Sequence, residues 1–193
     1  LAPEYANRAD SLKPVTEAAL APLLAELKPG SRVLDVGCGA AVSAGLLAAN
    51  GHDATGIDLS SRMVAVASAR VPSATFLVGD YLSLRFPQKF DAIVAFAFIH
   101  LFPTDQALAA LCKLRSDLEP EGLLLIGTTL EKVGREGFET KADYVNSPPR
   151  FRKVWTEAEF DLALARTDLE TIKQLVHIDP FEKRWVDYLV QSR

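Results

Sequence analysis

A chain of 193 residues, 49% hydrophobic and 24% charged, is sized and composed for one globular domain with a full core. With 21 basic and 25 acidic residues its net charge is −4, which disfavours nucleic acid as a partner, because such binders carry a basic face to neutralise phosphates. No apolar run reaches bilayer length and no signal-peptide pattern opens the chain; Cys38 and Cys112 are too few for a disulfide framework, so a reducing cytoplasm is expected.

Residues 14–27 place apolar side chains at helical spacing until Pro29-Gly30 stops them, so residues 1–29 are expected as an N-terminal helical cap. Strand-like and helix-like segments then alternate. Arg32–Val36 is a short β-branched run, and 42–50 is a small-residue helix. A second strand covers 53–57, and Ser60 caps a helix running to Arg70. Residues 74–78 read as a third strand. Phe90–Phe96 is apolar throughout, as when both faces of a strand are buried. A helix over 104–118 turns at Glu119-Pro120-Glu121-Gly122 into a strand over 123–128.

This alternation predicts βαβ units and a mainly parallel sheet, hence a three-layer, Rossmann-like doubly wound α/β domain. Residues 30–128 form its core. Residues 129–155 break the rhythm with charge, Gly and Pro148-Pro149, and are expected as an irregular insertion on the substrate side. Order returns at Thr156-Glu157-Ala158-Glu159, a capping box, followed by two final strands at Leu169–Ile178 and 185–190.

The informative segment is Val33-Leu34-Asp35-Val36-Gly37-Cys38-Gly39-Ala40-Ala41. A buried strand runs into two glycines spaced by one residue, then into a helix whose first amides are free to meet a ligand. A dinucleotide loop needs a small residue where Val42 stands, and a phosphate loop needs a Gly-Lys-Ser/Thr that is absent. Asp35, two residues before the first glycine, has no use beside a pyrophosphate. It suits a ligand with a positively charged amino group, so the spacing favours a cationic, phosphate-free adenosyl compound.

On these residues the chain resembles the class I S-adenosylmethionine-dependent methyltransferases, small-molecule type. The first motif matches at Asp35, Gly37 and Gly39, with Cys38 as a small packing residue and Ala41 in place of the usual third glycine, a change expected to be inexpensive. The second matches at Gly56-Ile57-Asp58-Leu59-Ser60 with Met63 following; Asp58, 21 residues beyond Gly37, is implied to accept from both ribose hydroxyls. Val78-Gly79-Asp80-Tyr81 matches where the family places an acid and the next residue near the adenine. Phe90-Asp91-Ala92-Ile93-Val94 through Ile99-His100-Leu101 is the fourth motif, and Leu118 to Leu124 the fifth, with Glu121-Gly122 where Gly-Gly is commoner. The resemblance implies seven strands with the last antiparallel, and S-adenosylmethionine as cofactor.

Other candidates stand beside plainer readings. His100 follows the fourth strand's end, where it serves as a general base or merely as a pocket wall. Phe96, Phe98 and Phe102 flank that end as core packing or pocket lining, Phe96 being placed on the cofactor. Tyr5 and Arg8 belong to a segment that family members fold over the cofactor and acceptor. Arg150, Arg152 and Trp155, with Tyr144, form either a solvated basic turn or a clamp for an anionic acceptor. His177 and Asp179 are strand-end residues without a role, and three scattered histidines show no metal-ligand spacing. The reaction implied is in-line transfer of a methyl group to N or O of a small acceptor. Competing readings keep the fold for non-methylating sulfonium chemistry or as a scaffold subunit, or make the chain a nicotinamide dehydrogenase, against which Val42 weighs.

Overall fold

The computed structural model describes residues 2–140 and 149–193, with side chains from residue 8 onward. Helix α1 (Ala2–Glu26) leads into β1 (Arg32–Val36), α2 (Val42–Ala49), β2 (Asp53–Asp58), α3 (Ser61–Arg70) and β3 (Thr75–Val78). Strand β4 (Phe90–Phe96) continues through a 3-10 turn (Ile99–Leu101) to α4 (Thr104–Asp117) and β5 (Leu118–Thr128). Then come β6 (Arg135–Glu139), β7 (Arg150–Val154), α5 (Glu157–Ala165), β8 (Leu169–Ile178) and β9 (Arg184–Ser192).

Among the described residues seven strands form one sheet in the order β3-β2-β1-β4-β5-β9-β8, with only β9 antiparallel to its neighbours. Side chains alternate between its faces, as the two-residue period of a strand requires. Ala92, Val94, Leu123 and Leu125 pack with Leu20 and Leu23 of α1 and Leu47 of α2. Ile93, Ala95, Leu124 and Ile126 pack on the other face with Leu111 and Leu114 of α4 and Phe160 of α5. The chain order reverses between β1 and β4, and such a switch point leaves a crevice at the strands' C-terminal ends. This places the site.

Local chemistry explains the helix starts. Ser60 Oγ accepts from the Met63 amide at 3.3 Å, and Thr156 and Glu159 exchange both bonds of a capping box. Helix α1 lies within the N-terminal cap expected at residues 1–29 and runs through Pro14 and Pro22, because the core anchors Leu20 and Leu23 outweigh the lost amide bonds and steric kinks. Two expectations are corrected. Strand β5 begins at Leu118, the Glu119–Gly122 turn being absorbed as a register shift against β4. The stretch expected as irregular contains an antiparallel ladder, with Arg135 to Glu139 paired to Val154 to Arg150. No helix among the described residues is long and apolar enough to cross a membrane.

Candidate functional site

The β1–α2 loop is built by backbone geometry first. Gly37 and Gly39 hold φ of 74° and 51°, a region glycine enters without steric cost. Ala41 sits there too, at φ 61°, which strains an L-residue by roughly 1–2 kcal/mol, so replacing the third glycine was not free. The amides of Gly37 and Cys38 both donate to the Ile57 carbonyl, at 2.8 and 3.0 Å, pinning the loop to the end of β2. Gly56 makes that approach possible, because a Cβ there would lie 2.9 Å from the Cys38 Cβ and 2.6 Å from the Phe76 ring.

Two carboxylates flank the loop. Asp58 accepts from the Gly39 amide through Oδ2 (3.0 Å) and from the Ser60 amide through Oδ1 (2.8 Å). Each oxygen keeps a lone pair for a further donor. Asp35 is buried beneath the loop with the Ala44 amide at 3.2 Å. Burial pushes its carboxyl up to about 7, the nearby Asp58 charge adds to this, and the Ala44 hydrogen bond opposes it. The Cys38 thiol is pushed up by burial and by both carboxylates, which removes it as a nucleophile.

A cleft of about 470 Å³ opens over these groups, within the usual size of a small-molecule site. Gly37, Gly39, Asp58 and Met63 line one side, Phe96, Ala97, Phe98 and Leu101 the other. Ala97 is itself left-handed at φ 54° while its amide donates to the Gly127 carbonyl at 3.0 Å. The residues fit an adenosyl amino acid: bare backbone where the ligand must come close, a carboxylate with open lone pairs, and apolar walls.

A family described as "Methyltransferase domain" matches residues 33–122, from β1 to the start of β5. Over this stretch, just under half of the chain, the sequence is similar to methyltransferase domains. The chain is 35% identical over 101 residues to a demethylmenaquinone methyltransferase of Beutenbergia cavernae, covering 51% of this chain and 41% of that protein. It is 33% identical to a dTDP-3-amino-3,4,6-trideoxy-alpha-D-glucopyranose N,N-dimethyltransferase of Streptomyces venezuelae, covering 50% and 41%. The chain thus spans about two-fifths of the length of these relatives. The fold matches that of a Burkholderia thailandensis 1,6-didemethyltoxoflavin-N1-methyltransferase holding S-adenosylhomocysteine, with a TM-score of 0.76 at 22% identity over 92% of this chain and 77% of that one. S-adenosylmethionine is the methyl donor of the family.

The remaining candidates separate. Leu59 stands 76% exposed just past Asp58, a large apolar side chain without cover. The Asp80 carboxylate is committed to a turn, accepting from the Leu82 amide and the Ser83 hydroxyl, and does not line the cleft. Tyr81 is a core residue: its hydroxyl donates to Asp117 at 2.8 Å and its ring meets Phe98 edge-on. His100 is buried against Trp185, ring centroids 6.0 Å apart, and is not among the cleft-lining side chains.

The expected anion clamp does not form around the cleft. Arg152 donates to Thr129 Oγ1 at 2.8 Å, and neither it nor Arg150 lines the cleft; burial lowers the Arg152 pKa, as does Arg150 beside it. Trp155 is wholly buried against Phe160, where it anchors the β6–β7 ladder to α5, because its bulk gains more from the core than from a polar rim. The Arg8 guanidinium stacks 3.7 Å over the Phe181 ring and ties α1 to the β8–β9 turn. The Tyr5 side chain and all of Tyr144 lie outside the described residues. Missed by the sequence reading is Arg62, in the first turn of α3, which lines the cleft; its position after Ser60-Ser61 was the available signal. Asp187 was missed as well, although an acid inside the apolar run Trp185 to Val190 marks it out.

Proposed function

We propose that the chain transfers the methyl group of S-adenosylmethionine to a nitrogen or oxygen of a small acceptor. The carrying observation is the cleft over Gly37 and Gly39 with Asp58 at its side. When bound there, S-adenosylmethionine supplies a methyl carbon already activated by a positive sulfur. Asp58 then accepts from the ribose hydroxyls through its open lone pairs, Leu59 and Met63 cover the adenine, and Asp35 beneath the loop complements the ligand's positive charge. Phe96 and Ala97 wall the methionine end and exclude water from it. With donor and acceptor both held, orientation alone can supply on the order of 7–11 kcal/mol.

By their names the relatives act on a demethylmenaquinone, an amino-sugar nucleotide and a toxoflavin precursor, which supports a small ring-bearing acceptor, and two of the names specify transfer to nitrogen. Calorimetry with S-adenosylhomocysteine tests the first step. Asp58→Ala should weaken binding about ten- to a hundredfold, as expected for lost hydrogen bonds to a charged group. Label from S-adenosylmethionine should then pass to members of a panel of small phenols and amines. A wild-type chain that binds no S-adenosylhomocysteine would falsify this reading.

A further inference from the structure

A second cavity, of about 140 Å³, lies between α1, the C-terminal ends of β4 and β8, and the N-terminal end of β9. Phe96 and Ala97 wall both it and the cofactor cleft, so the two spaces adjoin across the end of β4. The α1 side is apolar apart from Thr16, with Leu12, Val15 and Ala19. Opposite stand His177, Asp179, Trp185 and Asp187.

Asp187 is the unusual member. It is fully buried on β9, opposite Gly127 of β5. A Cβ at Gly127 would collide with Asp187 Oδ1 and come within 2.6 Å of the Phe96 ring, so glycine there is what admits the carboxylate. His177 Nδ1 lies 3.0 Å from Asp187 Oδ2 as an ion-pair neighbour, and no hydrogen bond to either carboxylate oxygen forms among the described residues. A buried carboxylate lacking donors is unfavourable unless something supplies them. Asp179 is different: the Phe181 and Lys183 amides and the Trp185 indole N–H all donate to it, so it shapes the turn.

We propose that this cavity seats the reactive end of the methyl acceptor, with Asp187 as a positioning residue and His177 as the proton acceptor. The inference rests on the methyl-transfer reading above and names the acceptor's chemistry. A space close to the ~150 Å³ that holds a benzene ring takes one small ring. Asp187, its oxygens closed to solvent behind His177, adds a negative charge beside the space that disfavours an anionic acceptor. In the transfer the sulfur–methyl bond breaks with its electron pair retained by sulfur, and a lone pair of the acceptor forms the new carbon–nitrogen or carbon–oxygen bond. The displaced proton passes to His177 Nε2, and from there to water, since that side chain is 26% exposed. The charged groups around His177 are Asp187 and Asp179; the α1 wall adds none, and Arg8 lies over Phe181 in the same turn.

Phenol and benzoate are the probes. With S-adenosylhomocysteine saturating, millimolar phenol should shift the His177 Cε1–Hε1 NMR signal, assigned through His177→Gln, and benzoate should not. Asp187→Asn should abolish the phenol shift, with affinity for S-adenosylhomocysteine kept within about twofold. Should that variant not fold, Thr16→Leu, which fills the cavity from α1, should abolish the phenol shift in the same way. A benzoate response equal to that of phenol, a phenol response surviving both variants, or none in the wild type overturns the assignment. If the wild type binds S-adenosylhomocysteine and phenol leaves His177 unmoved, only the cavity is wrong; if it binds none, the methyl-transfer reading falls and takes the cavity with it.

Discussion

Glu121 holds φ at 62°, in the turn that β5 absorbs, and its side chain is exposed. Nothing in its surroundings needs the carboxylate, and its carbonyl, which accepts from Gln191 Nε2 at 3.1 Å, survives substitution. Glu121→Gly should therefore relieve left-handed strain and gain roughly 0.5–1 kcal/mol after the extra freedom of the unfolded glycine is counted. A thermal midpoint higher by about 2–4 °C is the expected readout. Asp35 gives a prediction of opposite character. Its folded-state value of about 7 lies above the ordinary 3.8, so the folded protein holds the proton more tightly. Stability is then fullest below pH 4 and falls as pH rises through 7, by at most about 4 kcal/mol from this group. Asp35→Asn should match the wild type at pH 4 and exceed it by roughly 1–3 kcal/mol at pH 8 in urea titrations. Parallel pH curves for the two proteins would show that the burial has no such consequence.

At the scale of elements, two substitutions separate packing under the cofactor loop from packing elsewhere. Gly56→Ala forces a Cβ against Phe76 and Cys38, so β2 must shift beneath the loop. Overpacking of this kind costs about 1–3 kcal/mol, and S-adenosylhomocysteine affinity should fall at least threefold because Cys38 carries the loop. Thr156→Ala removes the capping box of α5, far from the cleft, and should cost about 1 kcal/mol with affinity unchanged. The same contrast explains what could be read from residues alone. Strands β4 and β5 were legible from their long apolar runs, β1 and β2 from short β-branched or buried stretches beside glycine turns, and the loop because Gly37, Gly39 and Asp58 stand at fixed spacing. Strand β6 was hidden: Arg-Glu-Gly-Phe-Glu is solvated on both faces, so it carries no period. For Asp187 the sequence shows an acid inside an apolar run but not what surrounds it. Its burial exists only once β9 pairs with β5 and places it over Gly127, a contact 60 residues away in sequence.

For the whole molecule, α1 walls the small cavity and, through Ala9, packs beside Met63 at the edge of the cofactor cleft. Its C-terminal half is anchored by Leu20 and Leu23, both fully buried, and lines the small cavity through Thr16 and Ala19. The N-terminal half is held differently, by the Asp10–Arg70 ion pair to α3 and by Arg8 stacked on Phe181. Pro14 lies between the halves and lacks the amide that would continue the hydrogen-bond ladder, while Pro22, the second proline of the helix, sits between the core anchors Leu20 and Leu23. The halves should therefore open separately. Losing the cation–π contact is worth about 0.5–1 kcal/mol, so Arg8→Ala should speed amide exchange about two- to fivefold in residues 8–13 and leave 20–26 unchanged. S-adenosylhomocysteine at a hundredfold excess over its dissociation constant should raise global stability by about 2.7 kcal/mol in wild type and variant alike. It slows exchange in the C-terminal half of α1 in both proteins, because that half opens only when the core does. Uniform acceleration along the whole helix in Arg8→Ala would mean that α1 moves as one rigid rod, and the Pro14 break would then have no dynamic role.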